Sequence, residues 1–151
     1  MPEEYRNIYK IARRNAGITQ EAAAEQLGIS VESVRAYETG QRIPPNHVVS
    51  RMVICYDAQR LAVQHVNLHD ELASSIIPVI QPRTLMESVV RLCNRLTRFS
   101  KNHSVERLLE IAEDGQIDEE ERAEYDAIVE DLKELIQCGM ELRFCEAESK
   151  E

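Results

Sequence analysis

Between Thr19 and Gly40 two short helical patterns meet across one glycine, and that spacing restricts the fold more than any other stretch of the chain. Thr19 can N-cap a helix whose first turn holds Gln20 and Glu21, and an acid there suits the positive end of the helix dipole. Ala22, Ala23 and Ala24 are strong helix formers of small volume, so a second helix can approach closely. Leu27 is the last apolar anchor, and Gly28 supplies the left-handed residue that ends a helix. Ile29 then points inward and Ser30 caps a second helix over Val31 to Glu38. Val34 and Tyr37, three apart, mark its buried face, which leaves Val31, Glu32, Ser33, Arg35 and Ala36 to the exposed side. Thr39-Gly40 closes the segment.

A short helix, a tight turn containing Gly and a second short helix form the helix-turn-helix pattern, whose second helix can enter a DNA major groove. The segment resembles the Xre/Cro-type, lambda-repressor-like domain of bacterial and phage regulators. The residues that carry the resemblance are Arg13, Gly17-Ile18-Thr19-Gln20-Glu21, Ala24, Leu27-Gly28-Ile29-Ser30, Val34, Glu38, Gly40 and Pro44, and it extends over about residues 4–68. It implies a DNA-binding set made of Thr19, Gln20, Ser30, Val31, Glu32, Ser33, Arg35, Ala36, Thr39, Gln41 and Arg42. Gln20 would bind a phosphate together with the helix N-terminus. Ser30, Val31, Glu32, Ser33 and Ala36 occupy the family's base-reading positions, with Arg35 close by, and Thr39, Gln41 and Arg42 would approach the backbone. Arg13 and Glu38 match an internal salt bridge, which is structural. Ala23 departs from the family's usual Leu or Phe, so a larger neighbour, Ile11 or Tyr37, is expected to fill that volume.

In the readout itself, Val31 and Ala36 offer only apolar contact, which favours a thymine methyl. Glu32 can accept from a cytosine amino group, and Arg35 can pair with guanine or rest on phosphate. The net charge of −9 divides unevenly: residues 1–68 hold eight Lys/Arg against seven Asp/Glu, and residues 69–151 hold ten against twenty. The first part is thus +1 and the second −10, which predicts steep salt sensitivity, two DNA-binding heads, and an acidic half turned away from DNA.

Elsewhere the pattern is helical. Glu3 to Asn15 reads as a first helix with Tyr5, Ile8, Ile11 and Ala12 inward. Pro44-Pro45 breaks the chain before a fourth helix through Val48, Val49, Met52, Val53 and Tyr56. Gln59 to about Ile77 reads as a fifth, with Leu61, His65, Leu68 and Leu72 on one stripe. Residues 1–77 are then a five-helix DNA-binding domain, and 78–83, bracketed by Pro78 and Pro82, a linker. Residues 84–145 form an acidic helical region for dimerisation or effector binding. It opens on a Thr84/Glu87 capping box, continues through a short helix capped by Ser104, and ends in a long helix behind an Asp118/Glu121 box. Residues 146–151 read as a frayed tail. Narrow apolar stripes of Leu85, Val89, Leu92, Leu96 and Phe99, and of Ile128, Leu132 and Leu135, predict a bundle or an intersubunit seam. The row Arg91, Arg95, Arg98 and Lys101 is expected to pair with Glu124, Glu130, Asp131 and Glu134 on the last helix.

No alternation of β-branched residues competes, so the fold class is all-α: a five-helix DNA-binding domain, then a helical oligomerisation or regulatory region. Four dispersed cysteines, Cys55, Cys93, Cys138 and Cys145, read as small core or interface side chains. A calcium loop at Asp114 to Glu121 fails because counting back from Gly115 puts Ala112 at a ligand position. His65 and His69 have metal-ligand spacing without a further His or Cys nearby, which favours packing. No metal, cofactor or catalytic grouping is therefore expected, nor any membrane partner. The expected protein is a cytoplasmic, dimeric, double-stranded-DNA-binding repressor. The alternative is an antitoxin-like or anti-repressor module whose acidic half binds another protein.

Overall fold

The computed structural model describes residues 7–145, and among them the chain forms nine α-helices and no strand. It divides into two compact units at the Ile77/Pro78 junction. The expected start of the first helix at Glu3 and the 146–151 tail lie outside the described residues.

In the first unit, α1 spans Ile8–Asn15, α2 Gln20–Leu27, α3 Val31–Glu38, α4 Asn46–Cys55, α5 Arg60–His69 and α6 Glu71–Ile76. Local chemistry sets most of the ends. Asn7 Oδ1 accepts from Lys10 N, Thr19 Oγ1 from Ala22 N, and Ser30 Oγ from Ser33 N. Gly28 closes α2 at φ +66°, where a β-carbon would be strained. The core gathers Tyr9, Ala23, Leu27, Tyr37, Val48, Val49, Met52, Tyr56 and Leu61. Tyr37 shares that core with Ala23, whereas Ile11 is 43% exposed; the stripe of α1 is turned so that Tyr9, not Ile11, is inside. The rotation lets Tyr9 Oη meet His65 Nδ1 at 2.7 Å and His69 Nε2 at 3.0 Å on α5.

The expected fifth helix is two. Asp70 takes an extended backbone, and its Oδ1 captures the N–H groups of Leu72 and Ala73. An aspartate offers the backbone this alternative to a continuing helix, and here the cap wins. Leu61 and His65 are buried, but Leu68 and Leu72 on the same stripe are exposed.

In the second unit, α7 spans Leu85–Lys101, α8 Ser104–Ile111 and α9 Glu119–Arg143. Both capping boxes form as the sequence predicts. Ser104 is not a cap: it is the first residue of α8 and buried, while His103 holds the cap position at φ +54°. The two-residue turn after α7 leaves no extended residue to cap from. Residues 78–83 belong to this unit. Gln137 Nε2 donates to the Val79 carbonyl at 3.1 Å, and Arg83 Nε donates to Glu141 Oε2 at 2.8 Å. Arg95 pairs with Glu134 at 2.7 Å, Arg98 with Asp131 and Glu134, and Arg91 lies 3.3 Å from the buried Glu141. These contacts run α7 antiparallel to α9. Arg107, not the α7 row, takes Glu124 at 2.6 Å, and Glu130 pairs with Lys133 within α9.

No helix among the described residues is long and apolar enough to cross a membrane.

Candidate nucleic-acid interface

The arrangement of α2 against α3 rests on one buried ion pair. Arg13 on α1 donates through Nε to Glu38 Oε1 at 2.5 Å and through Nη2 to Oε2 at 3.0 Å; its Nη1 donates to the Ile18 carbonyl at 2.6 Å. Both side chains are almost wholly buried. Burial by itself would push the Glu38 carboxyl up, but hydrogen bonds from Arg13 and Gln20, with the charges of Arg13 and Lys10, hold it below the ordinary value. The hydrogen bond to Glu38 raises the Arg13 guanidinium in turn. This pair joins the end of α3 to α1 and to the turn before α2. Asn7 Nδ2 adds a second tie, donating to the Tyr37 carbonyl at 2.8 Å.

Gln20 is anchored to the same carboxylate. Its Nε2 donates to Glu38 Oε2 at 2.8 Å, and its Oε1 accepts from Arg35 Nε at 3.3 Å. An amide nitrogen has two protons, so one remains for an external acceptor. The first-turn N–H groups of Gln20 and Glu21 lie beside it without an intrahelical partner, since Thr19 Oγ1 serves Ala22. Two kinds of donor and the positive end of a helix dipole thus converge at one point, a chemistry suited to an anionic oxygen.

Arg35 lies in the same corner. Its Nη2 is 3.7 Å from Glu21 Oε1, with both groups largely exposed. Such a contact is worth at most about 1 kcal/mol and is readily exchanged, unlike the Arg13–Glu38 pair. Arg42 folds back on α3: its guanidinium stacks 5.0 Å from the Tyr37 ring centre and its Nη2 donates to Ser33 Oγ at 2.7 Å. Ser33 Oγ also accepts from Ser30 Oγ at 3.0 Å. Ser30, Glu32, Arg35, Thr39, Gln41 and Arg42 are exposed, and Val31, Ser33, Ala36 and Gln20 are half-buried along the same side. The structure brings the expected set together around the outer side of α3 and the start of α2.

Asn7 and the histidine cluster escaped the sequence reading as parts of this scaffold. His65 Nε2 lies 3.0 Å from Asn46 Oδ1 while Nδ1 meets Tyr9, so α1, α4 and α5 join through one polar chain. Burial, with His69 nearby, lowers the His65 imidazole, and burial pushes the Tyr9 phenol up to about 12. The neutral ring satisfies both neighbours when its Nε2–H donates to Asn46 and its Nδ1 accepts from Tyr9. Asn7 lies inside the helix expected over Glu3 to Asn15, which hid its capping role, and the pairing of Tyr9 with His65 crosses 56 positions and had no local signal.

These features define a nucleic-acid-binding module: a short positioning helix whose N-terminus takes an anion, locked to a short helix with a free outer face. Residues 10–66 match the family described as helix-turn-helix domain, and this part of the chain is a DNA-binding domain of the Xre/Cro, lambda-repressor-like type. Searches of curated proteins and of solved structures returned no match.

Proposed function

We propose that this chain is a transcriptional repressor that acts in the cytoplasm, without chemistry of its own, by occupying a pseudo-palindromic operator as a homodimer. The α3 helix lies in the major groove, with Val31 and Ala36 against apolar base edges and Glu32 facing an exocyclic amine. Gln20 and the α2 N-terminus take a backbone phosphate. The placement of Arg35 beside Gln20 favours phosphate over guanine for that side chain, and Thr39, Gln41 and Arg42 flank the backbone on the other side. One observation carries this reading: Glu38 holds Gln20 with a free amide proton at the start of α2, on the same side as the open face of α3.

The test is selection from random duplex DNA at moderate salt, followed by salt titration of the recovered site. The expected product is a two-fold motif with half-sites about one helical turn apart. Arg35→Ala should weaken binding evenly across sequences and reduce the slope of log K against log salt by about 1. A change of preference at one base instead would move Arg35 into direct readout. A folded protein that enriches nothing would favour a protein-binding role for the acidic half.

A further inference from the structure

We infer that the second unit pairs with a second copy of itself through one face of the α7–α9 hairpin, completing an intermolecular four-helix bundle with the two α7 helices antiparallel across a two-fold axis near Cys93. This deepens the homodimer reading above and rests on it.

On α7, Ser88 is wholly buried and Arg91, Leu92, Arg95 and Phe99 are partly buried, which marks the side toward α9. Leu85, Met86, Val89, Val90, Cys93 and Leu96 are all exposed, with Met86 72% and Leu96 51% open. At 100° per residue they fill an arc of about 140°. Only Ser100 and Thr97 share that arc, so it has no charged side chain. Because α7 and α9 run antiparallel, their wheels are mirror images along the pair. The arc of α9 that carries the half-buried Leu132 and the 57% exposed Ile136 therefore opens on the same side as the apolar arc of α7. The charged groups Arg91, Arg98, Glu134 and Glu141 fall on the opposite side and are paired there.

Two features point to a second copy as the occupant. Residues 78–151 carry ten Lys/Arg against eighteen Asp/Glu, so two copies repel wherever carboxylates meet. This arc is free of carboxylate, and a basic partner would gain nothing from it. Second, the unit has a thin core: Ile111, Ile128 and Cys138 are its buried apolar side chains among the described residues. A unit of this size needs more apolar burial than that, and an identical face can supply it.

The location of the axis follows from α7 itself. Cys93 is the middle residue of Leu85–Lys101 and lies near the centre of the arc. With the helices antiparallel about that residue, Val90 meets Leu96 of the other copy, Val89 meets Thr97, and the two Cys93 residues face each other. The two Cys93 sulfurs are then within reach of a short bis-maleimide.

The experiment uses the full chain. Mass is measured by light scattering for the natural sequence and for the double variant Met86→Lys/Val90→Lys. Both positions are exposed in the protomer, so the variant keeps its helical circular dichroism. Cross-linked peptides are mapped in parallel, with Cys93→Ser as control. The proposal expects a dimer, a Cys93–Cys93 link lost in the control, and dimer affinity weakened by roughly thirtyfold or more in the double variant. A protein that remains dimeric in the double variant, with no Cys93 link, overturns this interface and leaves the homodimer reading intact. A monomer at every concentration tested overturns both. A natural chain that dimerises only in the presence of another protein overturns the choice of occupant.

Discussion

Glu38 does two jobs with one carboxylate, and its chemistry can be titrated. It neutralises the buried Arg13 and fixes the amide of Gln20. Replacing Glu38 with Gln leaves Arg13 charged and buried, so the first unit should lose about 3 kcal/mol or more in denaturant unfolding. Because the folded carboxyl is held below its ordinary value, its contribution is complete above about pH 4.3 and is lost as pH falls through the lowered value. The Glu38→Gln variant should show no such component. His65 works in a higher window. Its imidazole is lowered in the folded unit, so its contribution is full above about pH 6.5 and declines as pH falls below that. Melting curves between pH 7.5 and 5.5 should show the decline, and His65→Gln should flatten it; an unchanged slope in the variant would mean that another group is responsible for the decline. The Arg13–Glu38 pair was legible through the family resemblance. The tie from Glu38 to Gln20 was not, because it depends on the crossing of α2 and α3.

At the level of elements, α2 and α3 were the most legible parts of the chain, because their ends are decided by neighbours in sequence. Thr19, Gly28 and Ser30 each act within three or four residues of themselves. Ser30→Ala should cost about 1 kcal/mol of stability in thermal or denaturant unfolding. Gly28→Ala should cost a similar amount, from the left-handed backbone alone, since the nearest atom to its added carbon is Arg51 Nη1 at 3.9 Å, an ordinary contact. A loss of several kcal/mol at Gly28 would instead indicate a steric clash. Less local features were only partly legible for one reason: a stripe on a helical wheel has edges several residues wide, and the partner chooses among them. In α1, Tyr9 displaced Ile11 because its hydroxyl found two imidazoles. In α7 the stripe turned outward because the arginine row found the carboxylates of α9. Of the expected seam, Leu85, Val89 and Leu96 are open, Leu92, Phe99, Leu132 and Leu135 are half-covered, and Ile128 is enclosed within its own unit.

For the whole molecule, the two units should respond differently to concentration. The first has a many-residue core of its own. If the second shares its core with another copy, each tenfold rise in concentration adds about 1.4 kcal/mol per dimer. Calorimetry should then show a transition that moves up by a few degrees per decade beside one that stays in place. Two concentration-independent transitions would contradict a shared core. The division of charge bears on the same scale, since the excess of carboxylates lies outside the helix-turn-helix domain.

By itself the sequence determined the helical class, the helix-turn-helix segment, its caps and the charge division, since each follows from residue type and spacing over a turn or two. Tertiary structure alone decided which edge of each stripe is buried, that Asp70 splits the fifth helix, and that residues 78–83 pack against α9. It also decided that Glu38 orients Gln20. These depend on contacts between groups far apart in the chain, where several pairings satisfy the same pattern and only the packed arrangement selects one.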